Sequence, residues 1–224
     1  MPSITSFFKN DLPIMEGVLI EMEDDEITPW AQNQQRFPER DVLAMTAERR
    51  LEHFAVHQAL ELAGWKEAHL KVIHNDHGRP LILKTEEAVA SLFLSIAHHS
   101  TPGKCFALIA LSKLPVGCDI EVERESLRGV ATRVMNPEEG SVDSNLGQLC
   151  AVWCVKEAMF KAKGPGLDFR KDLSVTPPTL WPSVINEPLV LRGSVRNETG
   201  QWMVWNIPKS SLAMDSLWLS CGPL

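Results

Sequence analysis

The chain has 224 residues, of which 44% are hydrophobic and 23% are charged, so it can bury a sizeable core in one large domain or two small ones. Its net charge is −7 and it has no long run of lysine or arginine, which argues against a nonspecific nucleic-acid binder. It also lacks an apolar run long enough to span a membrane and the pattern of a signal peptide. We therefore expect a soluble, cytoplasmic protein that binds neither nucleic acid nor membrane.

In the first half of the chain, hydrophobic periodicity predicts one long helix and several strands. The helix begins at Thr46, whose side chain can cap the backbone, and runs through Ala63 to a stop at Gly64. Alternating patterns predict four strands, at Val18–Met22, Leu70–His74, Leu92–Ala97 and Cys105–Leu111. The third of these strands ends in the pair His98-His99, and residues 1–40 are otherwise interpreted as irregular.

The second half shows the same mixture of elements. It predicts strands at Val116–Val122, Leu189–Val195, Trp202–Ile207 and Leu217–Cys221. A short helix is predicted at Arg128–Val134 and a polar loop at residues 136–147. The clearest helix is Leu149–Lys163, which contains no proline or glycine and ends at Gly164. Because each half combines a long helix with several strands, the fold class is predicted to be α+β.

The five cysteines are odd in number and include no Cys-x-x-Cys pair. Cys150 and Cys154 lie four apart, but no histidine or further cysteine near them completes a zinc site. We interpret the cysteines as reduced, partly buried thiols of a cytosolic protein rather than as zinc ligands or disulfides.

Two carboxylates occupy one face of the strand that contains Gly117-Cys118-Asp119-Ile120-Glu121. Because side chains alternate along a strand, Asp119 and Glu121 lie on the same face, and Glu123 continues the alternation. Such a pair repels itself unless water solvates it or a cation bridges it, and hard oxygen ligands suit Mg²⁺. Taken alone, a solvated acidic edge is the commoner explanation.

The long helix places Glu157 and Lys161 on one face, with Trp153 one turn earlier. An ordinary surface ion pair of small energetic worth explains this spacing. A carboxylate and an ammonium on one face also suit a metal–phosphate site, where the lysine balances phosphate charge that the metal does not. The spacing by itself leaves both interpretations open.

Four separated segments resemble, in order, motifs of the Sfp-type 4′-phosphopantetheinyl transferases. Gly117–Glu121 matches the family's Gly-x-Asp-Ile-Glu signature in full, and Trp153–Lys161 matches Trp-x-x-Lys-Glu-Ala-x-x-Lys in full. His77–Leu81 is similar to the Gly-Lys-Pro segment, with arginine in place of lysine, and Leu94–His99 is similar to a strand that ends in Ser-His. The two full matches, in this order, carry the resemblance.

The resemblance implies transfer of 4′-phosphopantetheine from coenzyme A to a serine of an apo acyl, peptidyl or polyketide carrier protein, with release of 3′,5′-ADP. It implies a Mg²⁺ ion, with Mn²⁺ as the alternative, held by Asp119, Glu121 and Glu157. Asp119, Glu157 and Lys161 are the expected catalytic residues, and Lys161 also contacts the pyrophosphate. Whether Glu157 is the general base as well as a ligand stays open, because a carboxylate that ligates a metal is a weaker base.

The same resemblance assigns the coenzyme A contacts to Arg49, Arg50, Arg79, His98 and Lys161. The Arg79 guanidinium suits the 3′-phosphate, and His98 binds through a phosphate, with His99 as its rival. Two departures affect this part of the site, because Ala97 replaces the usual serine and His57 stands where many relatives carry arginine.

Relatives of this length fold as two similar α+β halves with a pseudo-two-fold relation and the active site between them. We expect residues 1–112 to form the half that contacts coenzyme A and residues 113–224 to form the half with the metal site, in a monomeric enzyme. The region Arg124–Met135 is expected to dock the acidic carrier protein. Two alternatives are another magnesium-dependent phosphoryl-group enzyme and a noncatalytic module that binds coenzyme A or a carrier protein.

Overall fold

The structure is a computed structural model that describes residues 3–6, 15–23, 36–62, 70–84, 87–88, 92–101, 104–141, 143–179, 181, 188–207 and 216–223. The chain divides into two compact units, Met1–Leu114 and Pro115–Leu224. Both contain helices and antiparallel strands, which agrees with the predicted α+β class. The internal similarity of two halves and the role of each half stay predictions. No helix in the described part of the chain is long and apolar enough to cross a membrane.

The first unit is built on a four-stranded antiparallel sheet of order β1-β2-β7-β6. Its strands are β1 (Ser3–Ser6), β2 (Met15–Glu23), β6 (Phe93–Thr101) and β7 (Lys104–Ser112). Helix α1 (Ala47–Leu62) packs on β7 and β2, and a short 3-10 helix, Val42–Ala44, precedes it. A second sheet contains β3 (Leu70–His74), β4 (Pro80–Lys84) and β5 (Glu87–Ala88). The predicted helix stop at Ala63 and Gly64 lies outside the described residues.

Two sequence predictions for this unit are wrong. Strand β6 does not end before the histidine pair, because His98 and His99 pair with Ala107 and Phe106 of β7 inside the sheet. Residues 1–40 also contain more regular structure than expected, since β1 and the whole of β2 lie there. In both cases pairing with a neighbouring strand extends an element that local sequence pattern marks weakly.

The second unit is a five-stranded antiparallel sheet of order β8-β12-β11-β10-β9, covered by a long helix. The strands are β8 (Val116–Val122), β9 (Leu173–Thr176), β10 (Leu189–Val195), β11 (Glu198–Ile207) and β12 (Leu217–Pro223). The helices are α2 (Leu127–Val134) and α3 (Leu146–Lys163), and α3 packs on β8 and β12. Strand β9, which pairs with β10 at one edge of the sheet, had not been predicted.

Helix α3 begins at Leu146 rather than at Leu149, because Asn145 caps it. The Asn145 side chain accepts hydrogen bonds from the backbone N–H groups of Gly147 and Gln148, which have no partner within the helix. The helix ends at Gly164, whose φ of 101° favours glycine. These two residues set the length of the helix that carries half of the candidate site.

The backbones of β8 and α3 approach each other closely at Gly117. A Cβ atom placed on Gly117 would lie 1.7 Å from the carbonyl oxygen of Ala158 and 2.9 Å from the backbone nitrogen of Ala162. Both alanines are buried in the core of this unit. Small side chains on the helix and a missing side chain on the strand therefore allow α3 to lie directly on β8.

We predict that Gly117→Ala destabilises the protein by about 3 kcal/mol, because the new methyl group meets backbone atoms that cannot rotate away. Chemical denaturation of the two proteins measures the difference. Gly129→Ala is the matched control, since a Cβ at Gly129 in α2 meets nothing within 4 Å. That control should gain about 0.5 to 1 kcal/mol from helix propensity. Equal stability of Gly117→Ala and the wild type would contradict the close-packing argument.

Candidate active site

The packing of α3 on β8 brings four of the predicted site residues together. Lys161 donates from Nζ to Oδ1 of Asp119 at 2.7 Å, and Trp153 donates from Nε1 to Oε1 of Glu121 at 2.9 Å. Trp153, Glu157 and Lys161 follow one another at intervals of four, so they form one stripe along α3. Glu157 therefore lies on the helix face that meets the two strand carboxylates.

Asp119 is the most enclosed member of this cluster, with only 6% of its surface exposed. Burial raises the pKa of its carboxyl group, and the adjacent Lys161 ammonium opposes that shift. Its Oδ2 atom is buried and accepts no hydrogen bond. The thiol of Cys154 donates to the backbone oxygen of Asp119 at 3.3 Å and so fixes the strand at this point. Asp119 thus has one side-chain oxygen paired and one without a partner.

The pKa values of the other two carboxyl groups, those of Glu157 and Glu121, are also raised. Burial and the negative charge of Asp119 raise the pKa of Glu157 to about 7, although Lys161 opposes the rise. The same two causes raise the pKa of Glu121, whose Oε2 lies 3.0 Å from Nη1 of Arg124. Burial acts to lower the pKa of Lys161, but Asp119 outweighs burial and the net shift is upward. The lysine therefore stays charged, whereas the carboxylates hold protons more tightly than usual.

The carboxylate cluster fits a hard cation in its chemistry but does not form a finished metal site. In the part of the chain that the structure describes, no group of three or more histidine, cysteine, aspartate or glutamate side chains is arranged to hold a metal ion. The cluster nevertheless has oxygen atoms that could bind a cation. Oδ2 of Asp119 is buried and has no hydrogen-bond partner. Oε1 of Glu121 accepts from Trp153 and Oε2 contacts Arg124, and each of these oxygens keeps a second lone pair. Mutual repulsion among the carboxylates would also fall if a divalent cation lay among them.

The first unit contains a cavity of about 410 Å³ with basic walls. Its charged or titratable lining residues are Arg40, Arg49, Glu52, His53, His74 and His98. Glu52 organises one wall, because its Oε2 accepts from Nη1 of Arg49 at 2.8 Å and its Oε1 lies 3.4 Å from Nδ1 of His98. Two of the predicted coenzyme A contacts, Arg49 and His98, therefore face the same cavity.

Of the other predicted contacts, Arg79 and Arg50 lie in this unit and Lys161 lies in the second unit. The Arg79 guanidinium lies 4.9 Å from the centroid of the Phe93 ring, while its neighbours Gly78 and Pro80 line the cavity. Arg50 does not line the cavity. His99 follows His98 along β6, so its side chain points to the opposite face of the sheet.

His57, noted as a departure from the family pattern, also lies away from the cavity. It is 8% exposed, and its Nε2 lies 3.3 Å from Oε1 of Glu61. Burial lowers the pKa of His57, although Glu61 opposes the shift. Burial therefore favours the neutral form of the His57 imidazole.

Sequence reasoning missed several residues around both sites. Arg40, His53 and His74 reach the cavity from three separate segments, and no local pattern marks them. Lys156 lies inside a predicted motif but received no role, and its side chain is completely buried against Glu139. Burial lowers the pKa of Lys156, while the Glu139 carboxylate opposes the shift. The sequence signal for a role of Lys156 was its place in the Lys-Glu-Ala motif. Helical spacing gave none, because it turns Lys156 away from the stripe that carries Glu157.

Residues 115–196 match the sequence model of the 4′-phosphopantetheinyl transferase superfamily. The match covers less than half of the chain and lies wholly in the second unit, where it includes β8, α2 and α3. It confirms the predicted resemblance at the level of the superfamily, while assignment to the Sfp type stays a prediction. No curated protein was found to match the chain.

We predict that Glu157→Gln makes the protein more stable at pH 8 in the presence of a chelator. The folded-state pKa of about 7 exceeds the ordinary 4.5, so wild-type stability falls as pH rises from about 4.5 through 7. The variant has no such loss and should be more stable by about 2 kcal/mol at pH 8, with no difference near pH 4. Urea denaturation at several pH values measures this. The exposed Glu138→Gln is the control and should show no pH-dependent gain.

Proposed function

Because residues 115–196 match the sequence model of the 4′-phosphopantetheinyl transferase superfamily, we propose that this protein transfers 4′-phosphopantetheine from coenzyme A to a serine of an apo carrier protein. The products are the holo-carrier and 3′,5′-ADP. The observation that carries the proposal is the cluster of Asp119, Glu121, Glu157 and Lys161 within the matched segment. Acyl, peptidyl and polyketide carriers are all candidates for the acceptor.

In this proposal Asp119, Glu121 and Glu157 hold a Mg²⁺ ion, with Mn²⁺ as the alternative. The unpartnered Oδ2 of Asp119 and the raised pKa values of the three carboxyl groups support the assignment. When bound, such an ion supplies charge neutralisation for the pyrophosphate of coenzyme A. The protein contributes the enclosed carboxylates and the rigid helix and strand that carry them.

Two side chains on α3 are proposed to act directly on the reacting groups. The carrier serine attacks the phosphate next to pantetheine, its proton passes to the Glu157 carboxylate, and 3′,5′-ADP departs. A pKa of about 7 suits Glu157 to accept that proton near neutral pH. The Lys161 ammonium stays charged because Asp119 raises its pKa, so it can balance the negative charge that grows on the 5′-phosphate of the departing 3′,5′-ADP. Ligation of a cation lowers the basicity of Glu157, so its two roles compete.

The 3′-phosphate of coenzyme A is proposed to bind the basic cavity of the first unit. Arg49 and His98 line it together with Arg40, and guanidinium groups pair well with phosphate oxygens. Arg79 stands at its edge between two lining residues, and Arg50 is retained as a predicted contact. This assignment favours His98 over His99, because only His98 faces the cavity.

The carrier protein is proposed to dock on α2 and the segment before it. Arg133 is exposed near the end of α2, and Arg124 and Arg128 lie close by in sequence. Arg124 contacts Glu121 and Arg128 contacts Glu125, and these ion pairs hold both guanidinium groups in place. An acidic carrier protein would therefore bind to side chains that are already ordered. Action as a monomer and a cytoplasmic location stay predictions.

We predict that the protein adds one phosphopantetheine to an apo carrier in the presence of coenzyme A and Mg²⁺, as detected by intact mass spectrometry of the carrier. Asp119→Ala and Glu157→Ala should lower the rate at least about 100-fold, because each removes an enclosed carboxylate that no neighbour replaces. Lys163→Met is the control, since the ion pair of Lys163 among the described residues is with the exposed Glu198. No modification of carriers of all three classes would refute the enzyme, and full activity of either alanine variant would refute the site.

We also predict that Mg²⁺ raises the thermal midpoint of the wild-type protein in the absence of coenzyme A, because a ligand that binds only the folded state stabilises it. Asp119→Asn should remove most of that rise, since it removes the charge beside the unpartnered oxygen. Differential scanning fluorimetry with and without a chelator measures the shift. An equal Mg²⁺-dependent shift in both proteins would place the ion elsewhere.

A further inference from the structure

A buried ammonium group lies on a different face of α3 from the stripe that carries Glu157, because Lys156 is turned about 100° around the helix from Glu157. The side chain of Lys156 is fully buried, with an exposed fraction of 0%. Its Nζ donates to the carbonyl oxygens of Val134 at 2.7 Å and Phe169 at 2.9 Å, and it lies 2.6 Å from Oε2 of Glu139. An ammonium has three N–H groups, so all of them are used.

Glu139 completes this junction, which we define as Lys156, Glu139 and the backbone groups bound to them. Oε1 of Glu139 accepts from the backbone N–H of Val175 at 2.6 Å, and Oε2 accepts from that of Asn136 at 2.7 Å. Val175 belongs to β9, which lies at one edge of the sheet. The junction therefore ties the end of α2, the loop after it, the edge strand and the loop after α3 to one point on α3.

A line of contacts leads from the junction to the carboxylates. Phe169, whose carbonyl oxygen binds Lys156, packs its ring against Trp153 at a centroid distance of 5.3 Å and against Phe160 at 5.0 Å. Trp153 donates its indole N–H to Glu121. The backbone of Phe169 is thus anchored by the buried charge, while its ring supports the indole that holds Glu121.

Packing alone does not account for charged groups at this place. Replacing a buried ion pair with apolar side chains of similar volume is often neutral or stabilising, so Lys156 and Glu139 are not needed merely to fill the core. An ammonium with three fixed acceptors instead specifies one arrangement of the segments that supply them. The arrangement specified here is the one that places Phe169 against Trp153.

We propose that Lys156 and Glu139 are positioning residues for Glu121, acting through Phe169 and Trp153. The junction fixes the loop after α3, the Phe169 ring then fixes the Trp153 indole, and the indole holds the carboxylate beside Asp119. This inference rests on the proposed function, since it gives the junction a part in phosphopantetheine transfer. Neither residue touches the substrate in this assignment.

The test compares a charge-free junction with the wild type. The double variant Lys156→Met, Glu139→Gln removes both charges together, whereas Lys156→Met alone leaves a buried carboxylate and should lower the thermal midpoint by about 10 °C. Phe169→Leu removes the ring contact between the junction and Trp153 but leaves Lys156 and Glu139 in place. It therefore tests the proposal if the double variant does not fold. Lys163→Met, a lysine change on the exposed side of the same helix, is the matched control.

Two readouts are taken at a temperature where circular dichroism shows each variant to be folded. With coenzyme A and an apo carrier, kcat should fall at least about tenfold in the double variant and in Phe169→Leu, while KM for coenzyme A stays unchanged. In spectra of protein with ¹⁵N-labelled tryptophan, the Trp153 indole signal, assigned from Trp153→Phe, should shift in both variants. Lys163→Met should leave kcat and that signal unchanged.

The proposal is overturned if a folded double variant keeps the wild-type kcat or the wild-type Trp153 indole signal, or if Phe169→Leu does so where the double variant is unfolded. Absence of transfer by the wild-type protein with every carrier class would refute the proposed function instead. In that case the indole signal alone decides whether the junction positions Trp153.

Discussion

The contact between β8 and α3 at Gly117 is the constraint from which the candidate site follows. A strand that had any side chain at this position would stand away from the Ala158 carbonyl, and the carboxylates on the strand would move with it. With glycine there, Asp119 comes within hydrogen-bond distance of Lys161, and Glu121 comes within reach of Trp153. One missing side chain thus sets the separation of the two elements that carry the cluster.

Buried charged groups have all their partners in the junction, whereas in the candidate site they do not. In the junction, Lys156 and Glu139 have a partner for each of their charged groups, so the charges specify structure. In the site, Asp119 keeps an unpartnered oxygen and Glu157 holds its proton up to about pH 7, so the cluster costs folding free energy. A protein that accepts such a cost at one place typically uses that place for binding or chemistry. The satisfied pair lies on an adjacent face of the same helix, and in our proposal it keeps the face that carries the site in position.

The first unit arranges its charges around one acidic residue. Glu52 contacts both Arg49 and His98, and Ser100 donates to the same carboxylate at 3.1 Å. These contacts hold cationic and neutral donors along the wall of the cavity, which Arg40 and His74 also line. Such a wall suits a ligand with several phosphate groups better than it suits an isolated carboxylate.

The sequence by itself determined the local part of this account. Period-two alternation placed Asp119 and Glu121 on one face, four-residue spacing placed Glu157 and Lys161 on another, and β8 has the bounds that were predicted for it. Those features depend only on backbone geometry within one element. Only the tertiary structure decided that the two faces meet, that His98 rather than His99 faces the cavity, and that Lys156 is buried. Each of these depends on packing between segments far apart in the chain, and no pattern within a single element records which neighbour covers it.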